Sequence, residues 1–349
     1  MATTLRLLRR PHIHIHPTLR HSTTSKSTMA RPFHSYLVTP ADLSTALKQN
    51  PNSTTSTGPR TVPVCGSWFL PNDPQRRTGL QVFRSAHIPT ARFFDLDAIS
   101  DTSSPYPHML PSAETFREAM CSLGINREDI VVVYDTAELG IFSAPRVAWT
   151  FRVFGHPAVH VLNNFKLWVE QHYPTETGAA QAVERTEYPL SHPDMSKVIP
   201  FEEMKTLVST RHHTNEPATP STQPQILDAR SPGRFAGTDP EPRPGLPSGH
   251  MPGSISVPVP DLLDPTTKAF LPAEELKRVF TSKGVDPSRP LISSCGTGVT
   301  AAVVETALME AGFGGAEAEA EGSGRRVYDG SWTEWAQRVR EGEGLIVKG

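Results

Sequence analysis

A repeat at an offset of 160 residues constrains this chain more than any other feature. Gly124-Ile125 precedes Ile130-Val131-Val132-Val133-Tyr134-Asp135, and Gly284-Val285 precedes Pro290-Leu291-Ile292-Ser293-Ser294-Cys295 at the same spacing. Upstream, Ala86-His87-Ile88-Pro89 leads into Phe93-Phe94-Asp95, and Gly249-His250-Met251-Pro252-Gly253 leads into Val257-Pro258. Between these landmarks, Ala113 to Leu123 and Ala273 to Lys283 both read as amphipathic helices. Solenoid units are far shorter, so a repeat of this length predicts two similar domains. Strands alternate with helices in each half. That pattern predicts an α/β fold in which each domain is a parallel sheet with helices on both faces. Composition divides the chain into a leading segment 1–33, a domain 34–170, a polar linker 171–200 and a domain 201–349.

The halves differ where it matters for chemistry. Sites in parallel sheets lie at the carboxyl ends of strands. The second half carries Cys295-Gly296-Thr297-Gly298-Val299-Thr300 there, between an apolar run and an alanine-rich segment, Val299 to Phe313. This reads as strand, tight loop, helix. A thiol at such a joint faces a helix N-terminus, whose N–H groups and dipole favour thiolate. Gly296 and Gly298 let the backbone curl so that several N–H groups converge on one anion. The counterpart in the first half is Asp135, which cannot carry transferable sulfur, so that half is expected to be supporting.

The formal charge of −2 gives no general pull toward nucleic acid or an anionic membrane, so neither is expected as a direct partner. Three cysteines are too few for a disulfide framework. Cys121 falls in a helical segment, and Cys65 ends an apolar run. The first acidic residue is Asp42, and Arg6, Arg9, Arg10, Arg20, Lys26 and Arg31 stand before it among many Ser and Thr. That composition predicts a mitochondrial transit segment, and a second start at Met29 would give a cytosolic form. Asn50 to Pro59, Ser209 to Pro224 and Ala316 to Gly324 read as loop insertions.

The tandem arrangement, the paired His-x-Pro turns and the Cys295 loop resemble the two-domain rhodanese sulfurtransferases. Within that family the loop is similar to the 3-mercaptopyruvate type; the thiosulfate type usually carries basic residues where Gly296 and Thr297 stand. Asp228-Ala229-Arg230-Ser231-Pro232-Gly233-Arg234-Phe235, Gly237 to Arg243, Phe93 to Asp97, Ser104 to Pro111 and Tyr328 to Trp332 match the same type. The resemblance implies that Cys295 is the nucleophile that becomes a persulfide, and that Arg234 and Arg243 hold the substrate's carboxylate and keto oxygen. It also implies a proton relay of Asp97, His108 and Thr297, with Thr297 where the family usually has Ser. Substrate-binding loop positions would be Gly296, Gly298, Val299 and Thr300. It implies a tandem rhodanese-like fold with a non-catalytic N-terminal domain.

The expected reaction moves sulfur from a small-molecule donor, 3-mercaptopyruvate, through the Cys295 persulfide to a thioredoxin-like or small-thiol acceptor, releasing pyruvate. No cofactor and no metal is expected, and the protein is expected to be a monomer or weak dimer. Thiosulfate as donor and a persulfide relay for tRNA thiolation stay open as alternatives. A cysteine phosphatase needs an arginine closing the loop, and here Thr300 and Ala301 follow instead.

Overall fold

The computed structural model describes residues 33–50, 59–213, 223–314, 324–340 and 342–349. The leading segment therefore lies outside the described residues, as do the central parts of the three insertions.

The first half runs β1 (Leu37–Val38), α1 (Pro40–Lys48), β2 (Thr61–Cys65), α2 (Gly79–Ser85), β3 (Arg92–Phe93), α3 (Ala113–Ser122), β4 (Ile130–Tyr134), α4 (Ala144–Val153), β5 (Val159–Leu162) and α5 (Phe165–Glu170). The second runs β6 (Val198–Ile199), α6 (Phe201–His213), β7 (Gln225–Asp228), α7 (Pro232–Ala236), β8 (Ser254–Ser256), α8 (Ala273–Ser282), β9 (Leu291–Ser294), α9 (Ala301–Glu310), β10 (Arg325–Tyr328) and α10 (Ser331–Arg338). The sheets have the orders β1-β5-β4-β2-β3 and β6-β10-β9-β7-β8, strand for strand the same topology, with every pairing parallel. The sequence repeat is thus a repeat of topology. β4, Ile-Val-Val-Val-Tyr, is buried at four of its five positions, as a parallel strand covered on both faces requires.

Local signals set the ends of the paired helices. Ser112 caps α3 by accepting from Thr115 N, and α8 begins after Pro272 with Glu274 and Glu275 in its first turn, near the positive end of the helix dipole. The two His-x-Pro turns are also built alike. His87 Nδ1 meets Phe83 O and His250 Nδ1 meets Phe235 O, each at 2.9 Å, and each ring stacks on that phenylalanine.

One apolar cluster runs through both halves, from Val131, Val147 and Phe151 to Leu291, Val303 and Val327. Across this shared core α4 packs on α9, and Arg152 makes a two-pronged ion pair with buried Glu305, both bonds 2.9 Å. Burial pushes the Glu305 carboxyl up, but Arg152 and Arg325 outweigh it and hold it below the ordinary carboxylate range. Asn163 Oδ1 accepts from Phe270 N at 2.8 Å, and Asn164 Nδ2 donates to Thr267 O at 2.9 Å, adding polar ties between the halves.

The segment from 171 onward is attached to the first half rather than free. Glu176 pairs with His87 as an isolated bridge, and Tyr188 is buried with its hydroxyl 2.7 Å from His156 Nδ1. Val198 and Ile199, at the end of the stretch read as linker, already form the edge strand of the second sheet against Val327 and Tyr328. Two valine-class residues are too short a run to stand out as a strand in sequence.

Candidate active site

The loop after β9 is held by its carbonyls. Cys295 N donates to Ser331 Oγ at 3.1 Å, and that hydroxyl donates to Tyr328 O at 2.7 Å. The first turn of α10 then takes the loop's oxygens: Trp332 N donates to Cys295 O and Thr333 N to Gly296 O, each at 2.9 Å. Thr333 Oγ1 adds a second bond to Gly296 O at 2.8 Å. With the carbonyls tied back, the N–H groups of Gly296, Thr297, Gly298, Val299 and Thr300 donate to no acceptor among the described residues. Unpaired amides in so tight a loop are donors waiting for a ligand.

Gly298 has φ +76°, and a Cβ there would lie 2.6 Å from both Arg146 Nη1 and Asp329 O, so only glycine fits. This turn delays α9 to Ala301, two residues later than the apolar run from Val299 implied. The Val299 side chain packs into the shared core, so only its backbone is left to meet a ligand. The carbonyl of Thr300 accepts from Val304 N at 3.3 Å and opens α9. Cys295 is 2 % exposed, more enclosed than a thiol on an open loop would be.

The arginines of the β7–β8 connection lie over this loop. Arg234 Nη2 is 3.1 Å from the place a Cβ on Gly296 would take. Arg234 is already engaged, through Nε and Nη2, by Glu241 at 3.2 and 2.5 Å. The same Glu241 accepts from Arg230 Nη1 at 2.9 Å, and Arg230 is buried against Asp228 at 2.6 Å and over the Trp332 ring at 4.0 Å. Arg243 has no carboxylate within ion-pair distance among the described residues. Desolvation lowers its guanidinium, while the Cys295 sulfur acts in the opposite sense and Arg234 adds to the lowering. Of the three arginines here, Arg243 is the one without an ion-pair partner among the described residues.

Of the three residues expected to form a relay, Asp97 and His108 come from the first half and meet Thr297 in the loop by hydrogen bonds. His108 Nδ1 is 3.0 Å from Thr297 Oγ1, and His108 Nε2 is 3.0 Å from Asp97 Oδ1. Trp68 Nε1 donates to both Asp97 oxygens at 3.1 Å, and its ring meets the His108 ring edge-on at 4.5 Å. The His108 and Trp68 bonds hold the Asp97 carboxyl below its usual range although partial burial opposes them. Burial is the largest influence on His108 and lowers its imidazole, so the ring is neutral at pH 7. An ionised Asp97 then assigns the ring proton to Nε2, and Nδ1 accepts the Thr297 hydroxyl proton. Asp97 itself stays open, its side chain 66 % exposed.

Four further residues that the sequence reading did not single out build the site. Arg146 of α4 donates through Nη2 to His108 O at 2.5 Å, and its Nη1 meets Asp329 Oδ1 at 2.6 Å. Asp329 Oδ2 accepts from Leu110 N at 2.8 Å, which pins the His108 segment onto the second half. Glu241 and Ser331 complete the set. A charged residue inside the buried run Ala-Pro-Arg-Val-Ala-Trp was a signal for Arg146. Glu241 lies in the matched stretch Gly237 to Arg243, and Asp329 and Ser331 in Tyr328 to Trp332, but the resemblance attached no role to them.

The position of Cys295 is occupied in the first half by Asp135, fully buried directly after β4 with its carboxylate turned to the first residue of α4. Its carboxylate accepts from Phe142 N at 2.8 Å, Ser143 Oγ at 2.7 Å and Ala144 N at 2.9 Å, and from Ser143 N. Burial raises Asp135 to about 6 against the pull of these donors. Cys65 is fully buried, and burial pushes its thiol up to about 12, so it is inert. No group of three or more His, Cys, Asp or Glu among the described residues could hold a metal ion.

A twice-repeated parallel sheet, with a strand-end cysteine enclosed beneath arginines, defines a sulfurtransferase enzyme of rhodanese fold. The chain belongs to the rhodanese sulfurtransferase family. Residues 214–338 match the Rhodanese-like domain. The chain is 38 % identical to 3-mercaptopyruvate sulfurtransferase of Homo sapiens over 284 residues, covering 81 % of this chain and 87 % of that one. It is 39 % identical to the Arabidopsis thaliana protein named thiosulfate/3-mercaptopyruvate sulfurtransferase 1, mitochondrial, over 77 % of this chain and 70 % of that one. Among solved structures, that of Tum1 from Saccharomyces cerevisiae superposes with a TM-score of 0.75 at 37 % identity, covering 89 % of this chain and 97 % of that chain.

Proposed function

We propose that this sulfurtransferase takes sulfur from 3-mercaptopyruvate and carries it as a persulfide on Cys295. The observation that supports this reading most is the hydrogen-bonded line Asp97–His108–Thr297, which brings a proton path to a loop without cationic side chains. Sulfur transfer from a keto acid needs such a path. The Cys295 thiolate attacks the substrate sulfur, the carbon–sulfur bond breaks, and its electron pair leaves on the enolate of pyruvate. The proton from the substrate thiol returns to the enolate carbon through the Thr297 hydroxyl and His108. Free loop amides receive the persulfide anion, and Arg243 with Arg234 receives the carboxylate. The acceptor thiol then passes its proton to the outer sulfur and attacks it; the sulfur–sulfur bond breaks with its electron pair on Cys295, which leaves a thiolate there and a hydropersulfide on the acceptor. Thiosulfate needs no protonation of carbon, so the relay would be idle with that donor.

The test is turnover of the purified protein with each donor, followed as pyruvate or sulfite. The reading predicts a higher kcat/KM for mercaptopyruvate; preference for thiosulfate would reverse the donor assignment. Residues 1–33, free of acid and rich in Arg, Ser and Thr, support a mitochondrial location. Fused to a reporter, they should direct import; a cytosolic reporter would remove that part.

A further inference from the structure

Resting on the sulfur-transfer reading above, the geometry points to Glu241 as a positioning residue that selects the charge of the donor. It does so by neutralising the arginine nearest the loop and leaving one net positive charge, on Arg243, for the substrate.

Three guanidinium groups and two carboxylates make up the wall beside Cys295: Arg230, Arg234 and Arg243 with Asp228 and Glu241. Arg230 is buried and bound on one side by Asp228 and on the other by Glu241. Glu241 then takes Arg234 edge-on, through Nε and Nη2, the pair of donors that would otherwise grip a carboxylate. What Arg234 offers a ligand is Nη1 and the second Nη2 hydrogen, both neutralised in charge. Pro240 and Pro242 restrict the backbone on either side of Glu241, and the bonds from Arg230 and Arg234 hold its carboxylate. Asp97 also acts on Arg243 from the first half, but it lies beyond ion-pair distance and its side chain is 66 % exposed, so solvent screens it.

One uncompensated cation suits a monoanion. A dianion in the same enclosure would carry one negative charge without a partner beside the Cys295 thiolate. Charge repulsion of that kind is weakly screened at an enclosed site. The discrimination is thus written in a carboxylate that touches no substrate.

The experiment compares the full chain with Glu241→Gln, using mercaptopyruvate and thiosulfate. The expected result is a rise of about tenfold in the thiosulfate-to-mercaptopyruvate ratio of kcat/KM, through a lower KM for thiosulfate. Glu241→Asp should keep the original ratio to within about threefold, because the charge remains. In Glu241→Gln with Arg234→Gln the charge balance is restored, and the ratio should return toward the original whatever the loss of overall rate. A merely structural Glu241 would lower both donors together, and an unchanged ratio in a folded Glu241→Gln protein overturns the proposal. Should that variant not fold, the unaltered enzyme decides. Pyruvate should compete with mercaptopyruvate more tightly than sulfate does, and tighter sulfate overturns the proposal. If the unaltered enzyme transfers sulfur from neither donor, the functional reading fails first and takes this one with it.

Discussion

After β4 the chain spends nine residues, 135–143, before α4 begins; after β9 it spends six, 295–300, before α9 begins. The first residue of the longer loop is Asp135, and that loop folds back so that its own amides and the Ser143 hydroxyl close on the carboxylate. The shorter loop opens with Cys295 and leaves its amides unpaired, because Ser331 and the first turn of α10 hold the loop from behind. The same cradle is filled internally in one half and left for an external anion in the other. Filling it stabilises a fold; leaving it empty is what binding demands. The first half nonetheless reaches the Cys295 loop: His108 bonds Thr297 and Arg146 bonds the Gly298 carbonyl, while Asp97 and Trp68 hold the His108 ring.

The contrast breaks first at the two key residues. Cys295→Ser should lower sulfur transfer by at least about a thousandfold with little change in melting temperature, since its side chain completes no hydrogen bond of the fold. Asp135→Ala should do the reverse at first hand, costing about 2–4 kcal/mol in urea denaturation, because several buried donors lose their acceptor. Equal stability losses at the two positions would contradict the comparison.

A pH titration sharpens it. Asp135 titrates near 6 in the folded chain against 3.8 unfolded. The raised value means the folded state holds a proton that the unfolded state has lost. Its contribution is fully present below about pH 4 and is lost as pH rises through about 6, on the order of 3 kcal/mol for a shift of that size. Unfolding free energy at pH 7 minus that at pH 4.5 should therefore be more positive in Asp135→Asn than in the parent, by about 2 kcal/mol; an unchanged difference would refute the assignment.

The smallest effect concerns the relay. Thr297→Val keeps the shape and removes the hydroxyl, and should lower kcat with mercaptopyruvate by about 10- to 100-fold. Thr297→Ser keeps the hydroxyl and should stay within about threefold. Valine and serine variants of equal kcat would take Thr297 out of the proton path.

Much of this architecture was legible because it is local or repeated. The helices at 113–122 and 273–282 show their amphipathic period, β4 and β9 their apolar runs, and the loop its glycines. Asp97 and His108 stood out through resemblance, and the structure brings them together with Thr297 across 189 residues of chain. What periodicity cannot carry is the approach of one half to the other. Arg146 pins His108 and meets Asp329 only because α4 packs on α9, and Trp68 supports Asp97 only through the tertiary fold. Edge strand β6 was folded into the linker because two residues leave no pattern. The enclosure of Cys295 was likewise invisible, since burial at a loop depends on α10 arriving from 36 residues further on.

Mass spectrometry of the protein after exposure to mercaptopyruvate tests the central claim most directly. The account predicts one added sulfur, about 32 daltons, on the peptide bearing Cys295, and none on Cys65 or Cys121, whose thiols are buried without a cradle. Added sulfur on Cys65 or Cys121 while Cys295 stays unmodified would contradict it.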